Sequence, residues 1–389
     1  MRELGIYIHI PFCERKCLYC DFLSGCGSDI DKEQYVDALI KDIVKTAVKA
    51  KDCLVKTIYM GGGTPSVLSP IQTENIMKAV YGNYNIDENC EITIEVNPKP
   101  ADYFKLRRYI NCGFNRLSMG LQSANNEELK MLGRMHTFED FIQTYDEAIR
   151  AGFDNISVDI MSAIPGQSLA SYENTLKKVI MLRPKHISSY SLIVEEGTPF
   201  YVMYGDDNEE GQKLLPDEDT ERQMYYLTNK MLKKAGYDRY EISNYSKPGY
   251  ESKHNKSYWQ RKEYLGFGAS ASSYINGERY TSICNVDEYV KYVNSQVGGY
   301  VEPKYESYEL TRNNKMEESI FLGLRMIEGI TIKAFEEEFG CDINAVYGDV
   351  IRKYVDLGYM ELSYGILKLT EAGIDVSNTI FSDFIIGIE

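Results

Sequence analysis

At 389 residues the chain is longer than a typical single domain, and its composition of 43% hydrophobic and 26% charged residues excludes a largely disordered protein. The formal net charge of −15 disfavours a nonspecific grip on nucleic acid or on an anionic membrane, since both require a basic face. The sequence has neither a signal-peptide pattern nor an apolar run of about 18 residues, so we expect a cytoplasmic protein.

The first predicted strand, Leu4 to Ile10, leads into a loop with the pattern C-x-x-x-C-x-x-C, formed by Cys13, Cys17 and Cys20. Thiolates bind zinc or iron–sulfur clusters, and a closed zinc site needs four ligands. Cys26 could complete such a site, but no second C-x-x-C and no histidine pair accompanies it. A [4Fe–4S] cluster with one open iron is therefore favoured, with zinc as the alternative.

Short apolar runs alternate with amphipathic helices six times in the N-terminal half of the chain. After the first strand, the predicted strands are Thr57 to Met60, Glu91 to Val96, Arg116 to Leu121, Asn155 to Ile160 and His186 to Val194. The clearest helix pattern runs from Lys32 to Lys49. This alternation predicts an α/β fold with a parallel sheet, either a partial (β/α)6 barrel like a TIM barrel or an open doubly wound sheet.

Polar residues and glycines at the strand ends are candidates for ligand binding. The segment G-G-G-T-P from Gly61 to Pro65 follows the second strand, and its glycines would let a ligand approach the backbone. Glu95, Gln122 and Asp159 lie in or directly after later strands. Arg134 follows the helix after the fourth strand. Carboxylates can pair with ammonium and hydroxyl groups, and arginine with a carboxylate, although each residue alone could equally be an ordinary surface group.

The strand–helix repeat stops after Pro199, and the sequence changes character twice more. We predict a barrel over 1–235, a connecting segment over 236–309 and a C-terminal domain over 310–389. In the last, three helix patterns precede two short strands, which is the order of a winged helix in an α+β domain. DNA binding is disfavoured because this stretch has seven Lys and Arg residues against fourteen Asp and Glu residues, so a packing or interaction role is preferred.

The cysteine pattern, with Tyr19 directly before the last cysteine, resembles the radical S-adenosylmethionine (SAM) superfamily. The resemblance implies a [4Fe–4S] cluster on Cys13, Cys17 and Cys20, with SAM on its open iron. It also implies one-electron cleavage of SAM to a 5′-deoxyadenosyl radical, with an electron donor such as flavodoxin or ferredoxin. The SAM-binding residues that it implies are Tyr7, Tyr19, Gly62, Gly63, Thr64, Glu95, Gln122, Arg134 and Asp159.

Within that superfamily, nearly the whole chain resembles the oxygen-independent coproporphyrinogen III oxidases and their relatives, the heme chaperones called HemW. Two features favour the chaperones: Cys20-Asp21-Phe22 stands where the oxidases have a further cysteine, and residues 254–259 read H-N-K-S-Y-W, like the chaperone motif H-N-x-x-Y-W. The chain also begins almost at the first strand, so we expect no N-terminal extension of the kind that helps form the oxidases' substrate site.

The resemblance implies heme binding at this second motif, with His254 as an iron ligand and Tyr258 and Trp259 packing on the macrocycle. The alternative for His254 is a hydrogen-bonded structural residue. The function expected is a heme chaperone that delivers heme to an acceptor protein and touches membranes only through that acceptor. Two enzymes stay open as alternatives, a coproporphyrinogen III oxidase and a radical heme-modifying methyltransferase. Catalytic residues, and the choice between monomer and dimer, are also open.

Overall fold

Six parallel strands form the centre of the computed structural model, which describes residues 1–99, 101–296 and 299–385. The strands are β1 (Arg2–Ile10), β2 (Cys53–Gly62), β3 (Ile86–Val96), β4 (Arg116–Gln122), β5 (Asn155–Ser162) and β6 (His186–Ser191). The helices between them are α1 (Asp29–Thr46), α2 (Pro70–Asn83), α3 (Tyr103–Asn111), α4 (Asn126–Met131), α5 (Phe138–Ala151) and α6 (Leu169–Leu182). The strands lie side by side in sequence order. Their carboxyl ends therefore share one edge, as the repeat predicted.

Capping residues in the sequence explain where several of these helices begin. Ser28 begins α1 with a reciprocal capping box to Asp31, and Thr137 does the same for α5 with Asp140. At the other end of α5, Gly152 takes the left-handed conformation that ends a helix without steric cost. Because these capping residues set where each helix begins and ends, they also help to set the positions of the loops at the carboxyl edge of the sheet.

The sheet does not close on itself, because later segments extend it at both edges. Helices α7 (Pro199–Tyr204), α8 (Glu209–Gln212) and α9 (Glu218–Lys234) precede β7 (Asp238–Glu241) and β8 (Asn244–Ser246), which continue from β6. After α10 (Lys253–Trp259) come β9 (Tyr264–Phe267), β10 (Ser272–Ile275), β11 (Glu278–Ser282), α11 (Val286–Ser295) and β12 (Lys304–Glu309). Strands β9 to β12 extend the sheet beyond β1, which gives it twelve strands within the described residues. The partial barrel is confirmed, while the segment 236–309, predicted as a connection, supplies both edges of the sheet.

The C-terminal part has a small sheet of its own. Its elements are α12 (Arg312–Gly323), β13 (Ile330–Thr331), α13 (Ile332–Phe339), α14 (Ile343–Asp356), β14 (Met360–Ser363), β15 (Ile366–Leu369), α15 (Glu371–Asp375) and α16 (Ser377–Ser382). The three strands pair antiparallel in the order β13-β15-β14, which agrees with the predicted winged-helix-like α+β domain. Residues 386–389 of the predicted 310–389 domain lie outside the described part of the chain.

Two main hydrophobic cores stabilise the fold. The largest packs the barrel strands against α1, α2, α3, α5 and α6, and the second lies within the C-terminal part around Ile320, Phe335 and Phe384. A third, smaller cluster of Leu132, Met161, Ile164, Phe200 and Tyr204 stands beside these two main cores. Tyr225 of α9 packs against the second core and so joins the two main cores. Over the described ranges, we find no helix that combines the length and the apolar character required to cross a membrane.

Candidate functional site

The loop after β1 brings Cys13, Cys17 and Cys20 to the wall of one cavity of about 490 Å³ at the carboxyl ends of the barrel strands. All three thiols are partly buried. Thr64 donates a hydrogen bond to Cys13 Sγ at 3.4 Å, and Arg134 Nη1 donates to Cys17 Sγ at 3.5 Å. Burial raises the pKa of the Cys13 and Cys20 thiols, so deprotonation there calls for a nearby positive centre such as iron.

Cys26 stands apart from this group. Its side chain is exposed, and its Sγ donates to the carbonyl oxygen of Glu14 at 3.1 Å. Among the residues that the structure describes, no three His, Cys, Asp or Glu side chains lie close enough to hold a single metal ion. The zinc alternative therefore has no support in this geometry, whereas three thiols around an open cavity fit the donor set of a larger iron–sulfur cluster.

The glycines after β2 allow two loops to meet. Gly62 has φ +113°, and a Cβ there would lie 2.5 Å from His9 Nδ1. A Cβ on Gly63 would lie 2.7 Å from the carbonyl oxygen of Phe12 and 3.0 Å from Cys13 Sγ. The Gly63 amide instead donates to the carbonyl of Ile10 at 2.9 Å. The sequence predicted that these glycines let a ligand approach the backbone. In the structure they also allow the turn to pack against the cysteine loop.

Two acidic side chains project into the same cavity from β3 and β5. Glu95 accepts hydrogen bonds from Tyr59 Oη at 2.7 Å and from the Gly62 amide at 3.1 Å. Burial raises the pKa of Glu95 to about 7 and also raises the pKa of Asp159. Ser118 donates to Asp159 Oδ2 at 3.2 Å. Both carboxyl groups are thus poised to bind a ligand's polar hydrogens, and their charge responds to pH.

Gln122 and Arg134 occupy the end of β4 and the loop after α4. Gln122 has φ +71°, and its buried Oε1 has no hydrogen-bond partner in the described structure. An unpaired buried acceptor is costly, so this atom marks a place for a donor that a ligand could supply. Arg134 Nη2 donates to Asn97 Oδ1 at 2.8 Å and to the carbonyl of Gly120 at 2.6 Å. These bonds hold the guanidinium beside Cys17.

Eight of the nine residues predicted to bind SAM line this first cavity, namely Tyr19, Gly62, Gly63, Thr64, Glu95, Gln122, Arg134 and Asp159. Tyr7 does not line it; its ring stacks on Tyr59, with the centroids 6.2 Å apart, and its hydroxyl meets His9 Nδ1 at 3.0 Å. Lining residues that the sequence interpretation missed include Tyr59, Asn97, Arg116, Ser118, Ser188, Tyr190, Asn244 and Asn255. Alternation along the strands could have found some of them, since Ser118 stands four residues before Gln122 and Asn97 two residues after Glu95.

His254 of α10 is buried against β2, and its surroundings bear on the prediction that it ligates heme iron. The residue is 1% exposed. Its Nδ1 meets Thr57 Oγ1 at 2.8 Å, and its Nε2 meets Tyr258 Oη at 2.8 Å. Burial lowers its pKa to about 3. Since both ring nitrogens are engaged, iron ligation would require breaking a buried hydrogen bond, and the structural alternative describes this residue better.

Tyr258 and Trp259 of the same motif line a second cavity of about 490 Å³, between the inner face of β1, β9 and β10 and the helices α10 and α12. Its wall also includes the aromatic residues Tyr7, Tyr264 and Tyr274 and the basic residues Arg261, Lys262 and Arg279. Asp21 and Phe22, directly after Cys20, line both cavities. The two candidate binding sites therefore adjoin each other at the cysteine loop.

Comparisons with known proteins agree with this arrangement. The family model of the Radical SAM superfamily matches residues 7–179, and that of the HemN C-terminal domain matches residues 310–376. A protein named heme chaperone HemW from Lactococcus lactis is 33% identical, with 98% of this chain and 97% of that protein covered. The protein of the same name from Bacillus subtilis is 34% identical, with 97% and 98% covered.

Among solved structures, coproporphyrinogen III oxidase (HemN) from Escherichia coli is similar with a TM-score of 0.85 over 99% of this chain and 90% of that chain. The two sequences are 23% identical, so this likeness shows the fold alone.

Proposed function

The chain belongs to the HemW family of heme chaperones within the radical SAM superfamily, and from this premise we propose that it binds heme and delivers it to an acceptor protein. The observation that carries the proposal is the pair of adjoining cavities, one lined by thiols and the other by aromatic and basic side chains. Proteins that bind a flat, carboxylate-bearing macrocycle need both aromatic surface and cationic donors. No observation favours the oxidase or the methyltransferase over the chaperone.

The first cavity is assigned to the radical cofactors. Cys13, Cys17 and Cys20 would hold a [4Fe–4S] cluster, and the eight lining residues of the predicted set would hold SAM. The unpaired Oε1 of Gln122 supports this assignment because it offers an acceptor, and Arg134 supports it because it offers positive charge beside Cys17. Tyr7 would support SAM binding indirectly, through its stacking on Tyr59, and would not contact SAM itself. When bound, cluster and SAM together supply one-electron chemistry, with electrons from a donor protein such as flavodoxin or ferredoxin.

The location and partners of the protein follow from the same premise. We place it in the cytoplasm, with heme and a heme-acceptor protein as partners and with membrane contact only through that acceptor. We propose no nucleic-acid partner, in keeping with the net charge of −15. The monomer and the dimer are both compatible with heme transfer.

Cysteine variants test the cluster assignment. Cys17→Ser should abolish the iron and sulfide content of the anaerobically reconstituted protein and its visible absorption, since one of three ligands is lost. Cys26→Ser is the matched control and should retain both, because Cys26 is exposed and bonded to a backbone carbonyl. Loss of the cluster in Cys26→Ser, or its retention in Cys17→Ser, would overturn the assignment.

Heme titration of the reconstituted protein, run beside a coproporphyrinogen III assay, tests the function itself. We expect a saturable Soret shift with heme and no consumption of coproporphyrinogen III in the presence of SAM and reductant. Release of 5′-deoxyadenosine coupled to consumption of that substrate would contradict the chaperone proposal and establish the oxidase. Absence of heme binding would contradict it as well.

A further inference from the structure

Arg116, at the start of β4, is a buried cation without a close partner. It lines the first cavity, and the residue is only 2% exposed. Among the described residues its buried Nε has no hydrogen-bond partner, and no carboxylate forms an ion pair with its guanidinium at contact distance. Because an isolated charge is costly to bury, a cation in this position requires compensating charge nearby.

That compensation comes from the acids on the two neighbouring strands. Glu95 on β3 is in register with Ser118 of β4, and Asp159 on β5 is in register with Gly120. Ser118 and Gly120 are the next two inward-facing positions after Arg116, so both acids lie between the cation and the carboxyl edge of the sheet. Burial raises the pKa of Glu95 to about 7 and raises the pKa of Asp159, whereas the Arg116 cation lowers the pKa of both.

The other described side chains whose pKa the Arg116 charge affects are neutral at physiological pH. They are Tyr59 on β2, His186 on β6, Tyr240 on β7 and His254 on α10. Burial raises the pKa of both tyrosines and lowers the pKa of both histidines, that of His254 to about 3. Tyr7 on β1 and Tyr190 on β6 face the two acids and are neutral too, because burial raises their pKa. None of these six side chains can replace the charge of Arg116 at neutral pH.

Glu91, two inward-facing positions before Glu95 on β3, is engaged elsewhere. The backbone amides of Lys253 and His254 donate to its carboxylate at 3.1 and 3.0 Å, and Glu91 does not line the first cavity. Within the cavity, the acids whose charge depends on Arg116 are therefore Glu95 and Asp159.

We propose that Arg116 is a positioning residue of the SAM site, because its charge keeps Glu95 and Asp159 ionised and so able to accept hydrogen bonds from the ammonium and hydroxyl groups of the ligand. The inference rests on the proposed SAM site and adds a residue that the sequence interpretation did not include. In this role Arg116 acts through the two acids and contacts neither SAM nor the cluster. Together with Arg134, it balances the two carboxylates of the cavity.

Loss of the Arg116 charge should leave the effect of burial unopposed. The pKa of both acids would rise, so they would be protonated at a pH where the wild type carries carboxylates. A nearby opposite charge typically lowers a carboxyl pKa by about one to three units. We therefore expect the pH below which SAM binding weakens to move upward when the cation is removed.

The test measures SAM affinity by calorimetric titration of the anaerobically reconstituted full-length chain between pH 6 and pH 9. In Arg116→Met the midpoint of the pH dependence should rise by about one unit, and the affinity at pH 7 should fall roughly fivefold. Arg116→Lys keeps the charge and should retain the wild-type profile. Arg239→Met is the matched control: Arg239 stacks on Tyr225, donates to the carbonyl of Ile242 at 3.1 Å and does not line the cavity, so its pH profile should be unchanged.

A second readout requires no SAM. The infrared absorption of the protonated Glu95 carboxyl, identified by its loss in Glu95→Gln, gives the pKa of Glu95 in the ligand-free protein. Arg116→Met should raise that pKa by about one unit. If the wild type binds no SAM, the proposed SAM site fails, while this titration still decides the role of Arg116.

Three results would overturn the inference: an unchanged Glu95 titration in Arg116→Met, a SAM affinity that falls equally at every pH, or an Arg116→Lys profile shifted as far as that of the methionine variant. Circular dichroism and iron content identify a variant that misfolds. If Arg116→Met misfolds, Arg116→Gln takes its place, because glutamine removes the charge and keeps polar donors.

Discussion

Single buried side chains set the chemistry of the first cavity. Glu95 is the clearest case, because Tyr59 and the Gly62 amide hold one carboxyl group in a buried position where its pKa rises to about 7. At that value the group changes charge within the range of cellular pH. A carboxylate accepts hydrogen bonds from a ligand better than a protonated carboxyl does, so occupancy of the cavity should depend on the ionisation of this one residue.

We predict that Glu95→Gln removes a pH dependence from SAM binding. In the wild type, lowering the pH below about 7 protonates Glu95 in the free protein, so binding must be coupled to loss of that proton and affinity should fall. The glutamine variant should bind roughly tenfold or more weakly at pH 8 and show little change between pH 6 and pH 8. Calorimetric titration of the reconstituted protein measures the SAM affinity at each pH. If the affinities of the variant and the wild type changed with pH in parallel, the proposed role of Glu95 would be wrong.

The turn between β2 and α2 shows how one element positions another. The Gly63 amide donates to the carbonyl of Ile10, at the end of β1, at 2.9 Å, and the Thr64 amide donates to the carbonyl of Phe12, in the cysteine loop, at 2.8 Å. The absence of a side chain on Gly63 is what permits this contact, since a Cβ would meet backbone oxygen at 2.7 Å. The position of the thiols therefore depends on a turn that comes some fifty residues later in the chain.

Gly63→Ala should consequently reduce cluster incorporation without unfolding the barrel. The added methyl group forces the cysteine loop away from the turn, and we expect less iron and sulfide per chain after reconstitution, with the circular dichroism of the barrel retained. Gly82→Ala in α2 is the control, because a Cβ there meets nothing within 4 Å. That variant should hold wild-type iron and gain up to about 1 kcal/mol of stability from helix propensity. Equal iron content in both variants would contradict the proposed contact.

At the scale of the whole molecule, a partly buried ion pair ties the extended sheet to the C-terminal part. Glu241 of β7 is fully buried, and its Oε2 lies 3.7 Å from Arg325 Nη2, just after α12. The backbone adds to this joint, since the Ile327 amide donates to the carbonyl of Tyr240 at 3.1 Å. Arg325 also stacks on Trp259, so the same guanidinium connects both parts to the wall of the second cavity.

Removing only the cation should destabilise the protein. Arg325→Met keeps much of the packing but leaves the buried Glu241 carboxylate without its countercharge, with only the hydrogen bonds that Ser243 and Asn244 donate to Oε1. We expect a loss of about 3 kcal/mol in the free energy of unfolding. The double variant Glu241→Gln with Arg325→Met should recover most of that loss, because the uncompensated charge is gone. Denaturant unfolding of the two single variants and the double variant measures the coupling, and additive effects would show that the pair does not interact.

The sequence by itself determined the six strand–helix units, the cysteine loop and eleven of the residues around the first cavity, namely three cysteines and eight SAM candidates. Apolar periodicity, capping residues and cysteine spacing are local features, and a parallel sheet then forces every strand's carboxyl end to one edge. This is why Glu95, Gln122 and Asp159 meet in the structure although they are far apart in the chain.

Only the tertiary structure decided which strands extend the sheet and which side chains are buried. Strand β9 pairs with β1 across more than two hundred residues, and no local pattern encodes that partner. His254 illustrates the consequence: its motif suggested an iron ligand, but one of its ring nitrogens is hydrogen-bonded to Thr57 on β2, 197 residues away. Tyr7, predicted to bind SAM, lines the second cavity and is joined to the first through its ring stacking on Tyr59. Burial and hydrogen-bond pairing are properties of contacts between distant segments, and these exist only once the chain has folded.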